Sequence, residues 1–351
     1  MIVRVVSATS LSSDELGCWS EIQRSVPSLA SPFFSPAFTS IVSAARDDVQ
    51  VAILEDAGHA FGFFPFQRGP LGSGQPVGSI LSDYHGVLAL DDARWDAKEL
   101  IRGCGLKTWE FHHVVGSQAP FARFARDRFD SLQIELSDGY EAYMQGVQAT
   151  HGQSISRLRR KTRKLEREHG ALRFTYHTDD PAALETLFRW KSDQYLKTGA
   201  VDILRQHWVR EVLRRSHSTQ TDRFAGVLSF VHVDGRPVAA HLGIRSGHVC
   251  HSWFPAYDPE FAPYSPGLML LLRLLEHAPE ANITTIDLGG GDYEFKRMLT
   301  NRAVALAAGS VELASFAAGA ARVRRSARSL VRGTSMAPRL RRLLRGLPRR
   351  R

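Results

Sequence analysis

Residues 225–254 read as three consecutive strands, and that run limits the fold more than any other stretch of the chain. Ala225–Val233, Arg236–Arg245 and His248–Phe254 are rich in β-branched and aromatic residues. They are parted by Asp234-Gly235 and Ser246-Gly247, dipeptides suited to tight hairpin turns. A helix over Pro266–His277 follows, opened by Ser265 as a cap and Pro266 in the first turn. Then come a strand over Ile283–Leu288, a short helix over Tyr293–Leu299 and a strand near Val304–Leu313. Strands and helices alternating after a meander imply an α/β (α+β) class, with mixed sheets flanked by helices.

The first half follows the same order. A strand at Ile2–Val6 precedes a helix from about Ser12 to Val26, and Ser35-Pro36 opens a second helix. Val49–Glu55 and Ala60–Gln67 form a hairpin across Ala57-Gly58-His59, and Gly69–Gly78 is a loop. Strands are expected at Ile80–Tyr84, Val87–Leu90, Thr108–Val115 and Ser131–Leu136, with a helix over Ala93–Cys104. Tyr140–Gly170 reads as a long basic helix closed by Gly170; strand Leu172–His177 and helices Pro181–Thr198 and Gln206–Ser216 lead into the meander. Each half thus runs strand, helices, meander, helix, strand, as a duplicated domain would. With 351 residues and 43% hydrophobic content, the chain can bury two cores. The expected organisation is a first domain over 1–140, a basic helical connector over 141–170, a second domain over 171–315 and an arginine-rich tail over 316–351.

Several function classes are set aside on composition. The longest apolar run, Leu268–Leu275, is broken by Arg273 and falls far short of the ~20 residues that span a bilayer. The opening residues lack the apolar segment and cleavage site of a signal peptide, so a cytosolic location is expected. Cys18, Cys104 and Cys250 form no CxxC pair, and no structural metal is expected. The net charge of +9 belongs to the tail: Arg322–Arg351 holds twelve arginines and no acid, so the rest of the chain is at −3. The tail is expected either to lie on an anionic membrane surface, at the inner face, or to be disordered.

From Phe254 to Lys296 the chain runs through an aromatic loop, Tyr264-Ser265-Pro266-Gly267 opening a helix, a strand ending in Asp287-Leu288-Gly289, and Tyr293/Phe295-Lys296. This order resembles the C-terminal domain of CelD/BcsL-type and Fem-type acyltransferases, which are built as tandem GNAT-like domains. Phe33-Phe34-Ser35-Pro36, Ser82-Asp83-Tyr84-His85-Gly86, the basic helix and the Lys191 helix ending at Thr198-Gly199 extend the resemblance over roughly residues 30–313. It implies transfer of an acyl or aminoacyl group to an amine or hydroxyl. The acyl donor it implies is acyl-CoA, acetyl-CoA foremost, with charged tRNA as the alternative. The acceptor it implies is a saccharide-type envelope or exopolysaccharide precursor. A non-catalytic scaffold of a polysaccharide-synthesis complex is the rival from another class. Other nucleic-acid binding is not expected, because the body of the chain is net acidic.

The residues fit that chemistry in named ways. Tyr264, Ser265, Pro266, Gly267 and Leu268 surround a helix N-terminus, where backbone N–H groups and the helix dipole favour an anionic part of the acyl donor. Pro266 removes one of those N–H groups. Lys296, with Tyr293 three residues before it on a helical face, is the leading candidate to hold a phosphate or stabilise an oxyanion. Asp83 or His85 is expected as general base, unless the segment is simply a turn. Asp287 either orients an amine or caps a helix, and Gly289 and Gly290 allow close approach of a ligand. Lys191 with Tyr195, Tyr84, and Trp253 beside His241 are candidate acceptor contacts. Arg157–Arg167, with Leu158 and Leu165 as its apolar stripe, is either a phosphate-binding helix or a solvated face. No Gly-x-Ser-x-Gly elbow is present, so direct attack without an acyl-enzyme is expected.

Overall fold

The computed structural model describes residues 1–291 and 293–313; the tail lies outside the described residues, and so does what was expected of it. The first half comprises β1 (Ile2–Ser7), α1 (Ser13–Ser25), α2 (Pro36–Ala45), β2 (Val49–Asp56), β3 (His59–Arg68), β4 (Ser73–Pro76), β5 (Leu88–Ala89), α3 (Ala97–Gly103), β6 (Thr108–Val115), α4 (Ala119–Ala122) and β7 (Ala125–Glu135). The second half begins with α5 (Tyr140–His169), β8 (Leu172–Thr175), α6 (Pro181–Thr198), α7 (His207–Ser218), β9 (Ala225–Val233), β10 (Arg236–Ser246) and β11 (Val249–Tyr257). It ends with α8 (Pro266–His277), β12 (Thr285–Asp287), α9 (Glu294–Leu299) and β13 (Arg302–Glu312).

Local chemistry explains most of these boundaries. Ser12 and Glu15 form a reciprocal capping box at the start of α1, and Ser35 Oγ accepts from the Ala37 N–H at the start of α2. The β9–β10 turn places Asp234 and Gly235 at positive φ, as a two-residue hairpin requires. Where strand Ile80–Tyr84 was expected, the chain instead forms a 3-10 turn over Ser79–Leu81 and a loop. Gly78 and Ser79 both take positive φ there, which breaks an extended run before it can pair.

The halves share a single sheet of 13 strands, ordered β1-β2-β3-β4-β6-β13-β7-β12-β11-β10-β9-β8, with β5 beside β3. β13, the last described strand, inserts between β6 and β7 of the first half, and β7 in turn pairs with β12. Helices of both halves pack into one core, where Trp19, Phe34, Phe38 and Phe63 meet Leu187, Phe188, Phe224 and Phe254. Each fully buried ring there contributes roughly 1.5–3 kcal/mol. On another core, α5 and α8 cover β7 and β12 through Tyr143, Val147, Leu274, Leu275 and Ile286. Among the described residues, no helix is long and apolar enough to cross a membrane.

Candidate active site

The two halves meet at the end of β12. β11 and β12 are parallel and pair over three positions, Val249 with Thr285, Cys250 with Ile286 and His251 with Asp287. β12 then ends while β11 runs on to Tyr257, so the strands part just beyond His251 and Asp287. A crevice outside the carboxyl ends of parallel strands is where open α/β sheets place ligands. A bulge re-aims β11 at the same point. Leu242 opposes Phe254 and Gly243 opposes Ser252, which leaves Trp253 as the extra residue. Gly243 is required there, since a Cβ would lie 2.8 Å from the His241 ring and 2.9 Å from the His251 carbonyl.

His251 is fully buried between two carboxylates. Its Nε2 lies 2.9 Å from Asp83 Oδ2, and its Nδ1 lies 3.5 Å from Asp287 Oδ1. Burial alone would lower its pKa, but Asp287 and Asp83 together outweigh that and hold it above the ordinary value. Burial likewise works to raise Asp83, yet the hydrogen bond and charge of His251 bring it below the usual carboxylate range. The Asp83 side chain remains 34% exposed, whereas that of Asp287 is 1% exposed. Asp83 is therefore the member of this array that meets solvent.

Asp287 is saturated instead of open. Its carboxylate accepts from Ser131 Oγ (2.7 Å), Tyr84 OH (2.5 Å), Gln133 Nε2 (2.7 Å) and the Gly289 N–H (2.7 Å). Neither a substrate-orienting nor a helix-capping role survives this arrangement; the residue braces His251 and ties β7 and the Tyr84 loop to β12. Burial, followed by the Asp287 charge, raises the Tyr84 hydroxyl well above its ordinary value, so Tyr84 is a fixed donor to Asp287 and not a contact for the acceptor. Gly289 sits at φ +69, and a Cβ there would come within 3.3 Å of Asp83 Oδ2.

Lys296 differs from both expectations held for it. The side chain is buried, and its ammonium donates to the carbonyls of Leu288 (2.6 Å), Gly289 (3.1 Å) and Gly290 (2.5 Å). All three N–H bonds are spent, leaving none for a phosphate or an oxyanion. Burial lowers its pKa, with Asp83 and Asp287 opposing. Tyr293 is not on a shared helical face; it precedes α9, is 59% exposed, and its ring lies 5.5 Å from the Lys296 ammonium.

His85 is likewise removed from the base role. It is buried, and its Nε2 accepts from the backbone N–H groups of His112 (2.9 Å) and His113 (2.8 Å). Burial, with His113 and His112 adding to it, holds the ring neutral. His85 also forms a parallel bridge to Val114, so it pins the loop that presents Asp83. His241 is buried on Ser252, pushed down to about 4 first by burial and then by the charge of His251, and lines no groove. Trp253 donates from Nε1 to the Leu81 carbonyl and packs edge-on to Phe33 and Phe38, fixing β11 to the first half. Lys191 donates to the Pro255 carbonyl (3.0 Å) on the stretch of β11 beyond β12, and burial pushes its pKa down to about 8. Its ammonium lies 5.4 Å from the Tyr195 ring.

At the start of α8, Ser265 takes a left-handed conformation and does not cap the helix. Its Oγ accepts from Lys161 Nζ (2.8 Å), while its carbonyl accepts the N–H groups of Leu268 and Met269. With Pro266 lacking an N–H, Gly267 is left as the first-turn donor, and the expected anion cradle over Tyr264–Leu268 is not formed. Tyr264 points elsewhere, donating to Glu168. A cleft of about 430 Å³ lies alongside, between α5, Ser265 and α9.

Residues 153–297 match the family described as Acetyltransferase (GNAT) domain. That stretch is a GNAT-type acyltransferase domain, which makes the chain an N-acyltransferase. Its fold is similar to that of FemX (10% identity, TM-score 0.59, 88% of this chain and 96% of that one). It is also similar to the C-terminal domain of a putative lysylphosphatidylglycerol synthetase from Agrobacterium fabrum (12% identity, TM-score 0.53, 88% and 95%). A tandem GNAT protein from the clavulanic acid biosynthesis pathway shares the fold at 11% identity and TM-score 0.50, over 88% and 98%. No curated protein matches the chain in sequence.

The site residues that sequence reasoning missed are His251, Ser131 and Gln133. A buried histidine on β11 and a Ser-x-Gln pair on β7 become visible only when β7, β12 and β11 are known to be neighbours. The array also sets a pH dependence. His251, raised on folding, contributes stability that is fully present below about 6.5 and lost as pH rises through its folded value. Asp83, lowered on folding, contributes above about 3.9 and loses it as pH falls. The melting temperature is expected to decline above neutrality, and His251→Gln is expected to flatten that limb in thermal melts between pH 5 and 9. An unchanged slope would contradict the ion-paired state of His251.

Proposed function

We propose that the chain transfers an acyl group from acyl-CoA, acetyl-CoA foremost, to an amine or hydroxyl of a saccharide-type envelope precursor by direct attack. The observation that carries the reading is the partly exposed Asp83 carboxylate, held by His251, which Asp287 backs, where β11 and β12 part. Asp83 accepts a hydrogen bond from the attacking group and stabilises the positive charge that builds on it. As the carbon–nitrogen or carbon–oxygen bond forms and the thioester bond breaks, the proton passes by way of Asp83 to the departing thiolate. His251 and Asp287 hold Asp83 in place throughout, so catalysis rests on positioning and electrostatics. The saccharide class of the acceptor rests on the family resemblance alone, whereas a cytosolic place at the inner membrane face rests on the opening residues and the arginine-rich tail.

A second reading, with charged tRNA as acyl donor, is favoured by one observation. Arg157, Arg160 and Arg163 are exposed on α5 and have no acidic partner among the described residues. The test is thermal stabilisation of the full chain by acetyl-CoA, longer acyl-CoAs and charged tRNA, followed by mass spectrometry of amino-sugar acceptors. A rise in melting temperature with an acyl-CoA, and acylated product that disappears in His251→Gln, is expected. Stabilisation by charged tRNA with none from any CoA would replace the acyl-CoA assignment.

A further inference from the structure

Three histidines pack near Asp83, and two of them are accounted for. His251 lies between two carboxylates, and His85 spends Nε2 on two backbone N–H groups. The third is His113 on β6, beside the loop that carries Asp83. Its carbonyl accepts from the His85 N–H (3.1 Å), and its ring lies 5.8 Å from that of His85. The His113 ring also meets Phe129 of β7 edge-on at 5.3 Å. Phe129 in turn borders Gly290, where a Cβ would lie 3.9 Å from its ring. His113 and Phe129 thus connect the Asp83 loop with the Leu288–Gly290 curl. Among the described residues, neither nitrogen of the His113 ring makes a hydrogen bond, and Nδ1 is buried without a partner. Since Nδ1 is sealed off and the residue is partly exposed, Nε2 is the nitrogen that an acceptor can reach.

The titratable groups that face His113 are Asp83 and His85 of the loop, His251 of β11 and His112 of its own strand. Burial holds the ring below its ordinary value, with Asp83 opposing and His112 and His251 adding, so it is neutral near pH 7. Asp83 alone is a poor base for an amine. An amine of the α-amino kind keeps its extra proton up to about pH 8 and must lose it before its lone pair can attack. Asp83, held below the usual carboxylate range, retains a proton poorly, whereas an imidazole stands far closer to the operating pH. A hydroxyl has no such first proton to lose. We infer that His113 is a second catalytic base and that the acceptor is a protonated amine, whose first proton goes to His113 Nε2. This rests on the acyltransferase reading and divides its proton transfers between two residues. Before attack, the first proton passes from the ammonium to His113 and on to water. The free amine then forms the carbon–nitrogen bond as the carbon–sulfur bond breaks, and its second proton passes through Asp83 to the thiolate. The products are an amide, a thiol and one proton in solution.

His113→Gln tests the assignment in the full chain, with acetyl-CoA and glucosamine followed from pH 6 to 9. Neither ring nitrogen bonds to the fold, so the variant is expected to melt as the parent does. At pH 6.5 kcat/KM is expected to fall about ten-fold or more, and the deficit to close by pH 9, where the amine arrives already free. A loss equal at every pH marks a structural role and overturns the proposal, as does no loss at pH 6.5. Transfer to N-acetylglucosamine, whose amine is blocked and whose hydroxyls remain, overturns the amine assignment. Asp83→Asn is expected to stay slow at pH 9, so failure of the Asp83 reading and failure of this one are read apart. Diethyl pyrocarbonate, which carbethoxylates accessible neutral imidazoles, gives a readout without substrate. At pH 6.5 it is expected to label His113 and to spare His85 and His251, as read by peptide mass spectrometry. A His113 that stays unlabelled would overturn the proposal.

Discussion

Asp83→Asn is expected to lower the rate of acyl transfer by about 10²- to 10⁴-fold while the protein stays folded. The amide keeps the volume of the carboxylate and can still accept from His251, so the loop and its pin at His85 are undisturbed. What disappears is the negative charge that faces the attacking group. Its loss removes both the proton acceptor and the stabilisation of charge growing on the nucleophile. The adjacent His251 loses one of the two carboxylates that raise its pKa, so the rate profile of any residual activity should also shift along the pH axis. The measurement is steady-state acylation of the acceptor identified by mass spectrometry, at several pH values, with the melting temperature as control. Retention of more than about a tenth of the parent rate would place the proton acceptor elsewhere.

Much of the fold is legible in the sequence because its signals are local. The capping box at Ser12, the Ser35-Pro36 helix start and the Asp234-Gly235 turn each specify their element through neighbours a few residues away. The extent of helix Pro266–His277 follows in the same way, although the reason assigned to its start does not. Ser265 looks like a cap in sequence, yet Lys161, 104 residues earlier in the chain, takes its hydroxyl. The active array is the less legible part for the same cause. Asp83, Asp287 and Lys296 stand out as polar residues after apolar strands or glycines, but their roles depend on who faces them. Lys296 reads as a free cation until the curl of Leu288–Gly290 is known, and Asp287 as an open carboxylate until Ser131 and Gln133 arrive from β7. His85 and His251 are both histidines beside buried aromatic residues. Only register separates them: one bonds backbone N–H groups of β6, the other faces two carboxylates. Long-range strand pairing, which no short window of sequence encodes, therefore decides which polar residues are chemical and which are structural.

The second large effect concerns that loop. Lys296→Met is expected to destabilise the protein by about 3 kcal/mol and to reduce activity at the same time. Methionine preserves most of the aliphatic packing of the side chain but leaves the carbonyls of Leu288, Gly289 and Gly290 without their charged donor. The Gly289 carbonyl keeps the Leu132 N–H at 3.3 Å, but those of Leu288 and Gly290 lose the ammonium and carry a desolvation cost that the parent avoids. The loop can relieve that cost only by uncurling toward water. Uncurling moves Gly289, whose N–H donates to Asp287 and whose Cα lies against Asp83. The array would then lose its geometry along with its support. Urea unfolding measures the first effect, and the split between KM and kcat measures the second. A positioning role predicts that kcat falls more than affinity for the acyl donor, because the Lys296 ammonium holds the loop against Asp83 and has no bond left for the donor. Lys296→Arg should recover part of the stability, since its guanidinium also donates to carbonyls, and little of the rate, since its fork cannot reproduce three bonds from one nitrogen. If instead Lys296→Met weakened acyl-donor binding with kcat unchanged, the ammonium would be a ligand group after all, and the bonds to the loop would be incidental.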